Sequence, residues 1–158
     1  MVWAGQGESQ DPLVDRRIAA AAAFEGDSEV AEARDMARDF LTSAQSEHGL
    51  PVSRRAIGVV QLVVSELVTN ARKYAPGPCL LDLEISDGAV QVGMWDSSST
   101  LPSVGEANPE RIGRHGLEIV MAVSRDFRVH REPVGKRITA SVLLTDDPSA
   151  DAADRHAL

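Results

Sequence analysis

An α/β protein of the two-layer α+β kind, with a sheet and helices closing on one core, is what this sequence predicts. Two periodicities and a length lead there. Residues 53–78 (SRRAIGVVQLVVSELVTNARKYAPGP) repeat their apolar positions with a helical period, whereas residues 81–94 alternate with the period of a strand. At 158 residues and 43% hydrophobic content, the chain suffices for one domain with a sizeable core. The expected organisation is a flexible tail over residues 1–15, a folded domain over 16–145 and a second flexible tail over 146–158.

In chain order, residues 1–15 are rich in Gly, Gln, Ser and Asp and show no periodicity. Arg16 to Phe24 is alanine-rich and suits helix or strand; because it runs into Gly26-Asp27-Ser28, a turn cluster, a strand is preferred. Ser28 is the expected cap of a helix with Val30, Ala33, Ala37, Phe40 and Leu41 inward and Glu29, Glu32, Asp35 and Arg38 outward. That helix ends near Gly49, where a left-handed residue closes the last turn. Pro51 and Ser53 start the central helix, about 22 residues long, and Pro76-Gly77-Pro78 stops it. Its apolar face collects Ile57, Val60, Val63, Val64, Leu67, Val68, Ala71 and Tyr74.

Leu81, Leu83 and Ile85 then alternate with Asp82, Glu84 and Ser86, and Val90, Val92 and Met94 continue the pattern after Asp87-Gly88. Asp-Gly between two alternating runs predicts a hairpin. The second strand ends on Trp95-Asp96, and Pro102 to Arg111 carries no core pattern. Gly113-Arg114-His115-Gly116 leads into an apolar helix, Leu117 to Val123. Strands over Phe127 to Arg131 and Ile138 to Leu144 follow, with a turn around Pro133-Val134-Gly135-Lys136.

Composition excludes several functions. A formal charge of −8 is the wrong sign for neutralising phosphate backbones, so nucleic acid is not an expected partner, and an acidic surface suits a basic protein. The single Cys79 can form no internal disulfide, no apolar run is long enough to span a membrane, and the N-terminus lacks a signal-peptide core. A cytoplasmic protein without membrane attachment is expected. His48, His115, His130 and His156 lack metal-ligand spacing.

Three local features carry possible chemistry. Glu66, Asn70 and Lys73, spaced i, i+4, i+7, form a polar stripe beside the apolar face of the central helix. The stripe is either a solvated edge or the wall of a cleft holding a metal ion and phosphates. Asp96 sits where a strand gives way to a loop and either caps a turn or accepts a hydrogen bond from a ligand amine. Gly113 to Gly116 opens a helix whose free N–H groups, with Arg114, suit an anion.

In this order the features resemble the GHKL ATPase superfamily of gyrase, heat-shock chaperones and histidine kinases. SELVTNARKYAPG is similar to its N box, WDSSSTLP to its G1 box and GRHGLEIVMAVS to its G2 box, and the likeness spans Arg16 to Leu144. The small stand-alone members, anti-sigma factor serine/threonine kinases and related ATP-binding regulators, are the most similar. The resemblance implies a Bergerat-type mixed sheet with helices on one face, and ATP with Mg²⁺ as ligands. It implies that Glu66 is the general base, that Asn70 holds Mg²⁺, and that Lys73 approaches the phosphates. Asp96 would bind the adenine amine, and Gly113, Arg114, His115, Gly116 and Leu117 would wrap the triphosphate beneath a lid of residues 102–112. Partners would be a sigma factor and an anti-anti-sigma factor, with a homodimer through the sheet.

This chain departs from the family pattern at three places. Ser98 and Thr100 replace the G1 glycines, GRHG replaces the commoner GxG, and Lys136 follows Gly135 where many relatives carry Thr. A lysine there either adds a phosphate contact or sits in a turn. Two function classes follow: a protein kinase with Glu66 as its base, or a binding module that controls a partner by occupancy, with or without ATP.

Overall fold

A computed structural model describes residues 2–8, 18–24, 29–74, 77–98 and 112–145. The elements run β1 (Val2–Glu8), β2 (Ile18–Phe24), α1 (Val30–His48), α2 (Arg54–Tyr74), β3 (Cys79–Ser86), β4 (Ala89–Asp96), α3 (Ile112–Val123), β5 (Asp126–Arg131) and β6 (Lys136–Leu143). The six strands form one sheet in the order β1-β2-β3-β4-β6-β5. The α+β sandwich is therefore as expected. Every described ladder is antiparallel, whereas the resemblance implies a mixed sheet.

The register explains how one face of this sheet becomes core. Ala22, Leu81, Met94 and Ile138 lie in one row across β2, β3, β4 and β6, and Ala20, Leu83, Val92 and Ala140 lie in the next. All eight are buried and join a single cluster with residues of the three helices. α2 packs on β3, β4 and β6, with α1 and α3 against its sides and α3 also reaching β5 and β6. On the other face Asp82 and Arg137 pair at 2.5 Å across Gly93. A Cβ on Gly93 would come within 2.8 Å of the Asp82 carboxylate, so only glycine leaves room for that pair.

Local chemistry sets the boundaries. Asp87 and Gly88 have φ of 53° and 75°, and Ser86 pairs with Ala89, so the predicted two-residue hairpin forms with the strand-compatible twist. Ser53 caps α2 by accepting the Ala56 N–H on its hydroxyl at 3.0 Å. Gly49 is left-handed at φ 65°, and the Leu50 N–H donates to the Ala44 carbonyl, closing α1 as expected. The first residue of α1 is preceded by Glu29, whose side chain makes no capping bond; the expected cap, Ser28, lies outside the described residues.

Two expectations need correction. Residues 2–8 form an edge strand within the stretch expected to be a flexible tail. An edge strand pairs through its backbone with a single neighbour, here β2, so it needs no apolar alternation to reveal it. Gly113 to Gly116 does not precede the last helix but belongs to it, because α3 already begins at Ile112. The expected C-terminal tail and all of the lid except Ile112 lie outside the described residues.

Candidate functional site

The eleven-residue run from Val60 to Asn70 places two chemistries side by side on α2. Val60, Val63, Val64, Leu67 and Val68 are fully buried and pin the helix to the sheet, which leaves the polar stripe on its flank. The stripe is graded: Asn70 is buried at 4% exposure, Glu66 is half-buried and Lys73 is exposed in the last turn. A solvated edge would not bury its central amide, so the stripe is more than a solvated edge. One helical turn separates Glu66 from Asn70, bringing carboxylate and amide to the same side.

α3 closes over Glu66. A Cβ on Gly116 would overlap the Glu66 carboxylate, with Cδ at 3.4 Å, so the second glycine of GRHG is what admits the acid between the two helices. Leu117, the next residue, is buried in the core and anchors the middle of α3. Gly113, Arg114 and His115 lie in the first turn of α3, at its N-terminus.

A second group of candidate residues lies at the end of β4. Asp96 is 1% exposed and is the direct register partner of Lys136, itself 2% exposed. Lys136 Nζ donates to Asp96 Oδ1 at 3.0 Å, and the Ser98 N–H donates to the same oxygen at 3.0 Å. Asp96 Oδ2 is buried and has no hydrogen-bond partner among the described residues. The turn before β6 makes this pairing possible. Gly135 has φ 80° and lies so close to Asp96 that a Cβ would approach the Asp96 carbonyl carbon to 2.9 Å. Lys136 is thus a strand residue rather than a turn residue, one of the two roles open to it in the sequence. It is the counter-ion of Asp96.

Cys79 pairs with Asp96 from the other side and donates its thiol to the Phe24 carbonyl at 3.8 Å. Burial pushes the thiol up from 9.0 to about 11, an effect only partly offset by the nearby Arg72 guanidinium and reinforced by the Asp96 carboxylate. Because the folded thiol keeps its proton to higher pH than the unfolded one, its share of stability is fully present below pH 9 and lost as pH rises through 11. Iodoacetamide at pH 8 is expected to label Cys79 about 100-fold more slowly in the folded chain than in urea, as followed by mass spectrometry.

A family model for the histidine kinase-like ATPase domain matches residues 27–142, which contain every element from α1 to β6 except the last residue of β6. The chain belongs to this family. As a histidine kinase-like ATPase domain it is an ATP-binding domain. No curated protein matches it in a sequence search. A solved histidine kinase domain, from the blue-light activated histidine kinase EL346 of Erythrobacter litoralis, is similar at 17% identity with a TM-score of 0.46. The match covers 71% of this chain and 61% of that one.

The domain's residues fit a nucleotide and its cation in different ways. The orphaned Oδ2 of Asp96 is an acceptor awaiting a donor such as an exocyclic amine. Asn70 offers one hard amide oxygen beside the Glu66 carboxylate, a partial shell that suits Mg²⁺ when phosphate oxygens and water supply the rest. Lys136 is the site residue whose role sequence reasoning missed. It left no local signal in the sequence, because the β4–β6 register that sets it opposite Asp96 joins strands forty positions apart. Among the described residues no helix is long and apolar enough to cross a membrane.

Proposed function

We propose that this ATPase domain is an anti-sigma factor that transfers the γ-phosphate of ATP to a serine or threonine hydroxyl of an anti-anti-sigma partner. The observation that carries this reading is Asp96, a buried carboxylate with one oxygen unpartnered among the described residues. It accepts the base amine and fixes the nucleotide at the β4 end of the site. Asn70 would hold Mg²⁺, which when bound would neutralise charge on the phosphates, and Lys73 at the exposed end of the stripe would approach them. The hydroxyl oxygen bonds to the γ-phosphorus, the bond to the bridging oxygen breaks, ADP leaves, and Glu66 takes the hydroxyl proton.

Arg114 and His115, with the backbone of Gly113 and Gly116, bind the triphosphate at the N-terminus of α3. Free of its partner, the domain holds a sigma factor, and it pairs with a second copy through the sheet. A second reading, a module that controls its partner without transfer, is favoured by one observation. Lys136 already satisfies Asp96 Oδ1, so the acid is partly neutralised before any nucleotide arrives. Incubation of the full chain with radiolabelled ATP and an anti-anti-sigma partner separates the two. Label on a partner serine or threonine supports the kinase; binding of ATP without label supports the module.

A further inference from the structure

An acidic side chain on its own selects a 6-aminopurine. Its oxygens only accept, so they welcome the amine of adenine and repel the carbonyl that a 6-oxopurine carries at the same position. The acid in this chain is not on its own. Lys136 Nζ lies 3.0 Å from Asp96 Oδ1 in a pair that is almost wholly buried, with side-chain exposures of 3% and 1%. An ammonium has three N–H donors and no acceptor. One donor is spent on Oδ1, and the Lys136 ammonium makes no other hydrogen bond among the described residues. Next to it, Asp96 Oδ2 is likewise unpartnered there. The pair therefore presents an acceptor and donors together, in a buried place where an unmet polar group is costly.

We propose that Lys136 widens the base specificity of this site, so that 6-oxopurine nucleotides bind alongside 6-aminopurine ones. The inference rests on the nucleotide reading of Asp96. A 6-oxopurine turns a carbonyl acceptor towards the Lys136 N–H groups and its ring N–H towards Oδ2. Adenine uses the same two groups with its amine on Oδ2 and its ring nitrogen accepting from Lys136. Both bases are matched because the acceptor and the donor sit on separate side chains, and the lysine stem is unbranched. Gly135 fixes the arrangement by bringing the backbone of the turn against that of Asp96.

Calorimetric titration of the full chain with Mg-ATP and with Mg-ITP tests this. ITP carries the 6-carbonyl without the 2-amino group of guanine, so only the edge in question changes. Affinities within about tenfold of each other are expected, and ITP bound more weakly than that overturns the proposal. A Lys136→Thr chain, checked for folding by circular dichroism, is expected to open the gap to about 100-fold; an unchanged ratio in a folded variant removes Lys136 as its cause. Should Lys136→Thr not fold, the wild-type ratio decides alone. If wild type binds neither nucleotide, the nucleotide reading itself falls, an outcome distinct from ATP binding with ITP excluded.

Discussion

Glu66→Gln is expected to lower phosphate transfer to the partner by about 10²- to 10⁴-fold, the range that a positioned general base supplies. Gln keeps the shape of Glu, so its packing against Gly116 and the position of α3 are retained. What it loses is the ability to take the hydroxyl proton. ATP affinity should therefore stay within a few fold of wild type, with the loss in the rate of transfer at saturating ATP. Transfer assays and titrations on the same preparations check both halves. Transfer at the wild-type rate would remove Glu66 as the base, whatever the nucleotide affinity.

The second large effect is on stability. Lys136→Met leaves Asp96 charged and buried without its counter-ion, which is expected to cost about 3–5 kcal/mol. Asp96→Val strands the ammonium at a similar cost. Replacing both members together removes both stranded charges, so the double variant should recover most of the loss, because well-packed apolar residues often match a buried pair in stability. Urea unfolding of the four chains gives the coupling directly, and a value above about 2 kcal/mol is expected. Additive single effects would mean that the two groups do not depend on each other in the folded state.

How much of this was legible in the sequence follows from what each residue's neighbours are. The hairpin at Asp87-Gly88, the strands flanking it and the central helix were readable because each is set by local period and turn chemistry. Glu66, Asn70 and Asp96 became candidates through their order along the chain, which resembles the family pattern. β1 was not, since Gln6 and Gly7 show no apolar alternation and join the ladder opposite Ala20 and Ala19. The start of α3 was misplaced because Gly113 and Gly116 each weaken a helix by about 1 kcal/mol relative to Ala. Only the approach of Glu66 from α2, a tertiary contact, explains why Gly116 is there.

Lys136 was opaque for the same kind of reason. A lysine after a glycine turn reads as solvated, and its burial depends on a partner forty positions away that only the sheet register supplies. Sequence spacing can place a residue on an element. It cannot say which side chain waits across the ladder.

The central claim is that Asp96 receives the base of a nucleotide. Titration of Mg-ATP into the wild-type chain and into Asp96→Asn, whose Lys136 remains in place, tests it most directly. The account predicts one ATP per chain for wild type and an affinity lowered by about 10-fold or more in the variant, as expected when a charged hydrogen-bond acceptor is lost. Equal ATP affinity in the two chains, with both folded, would contradict it.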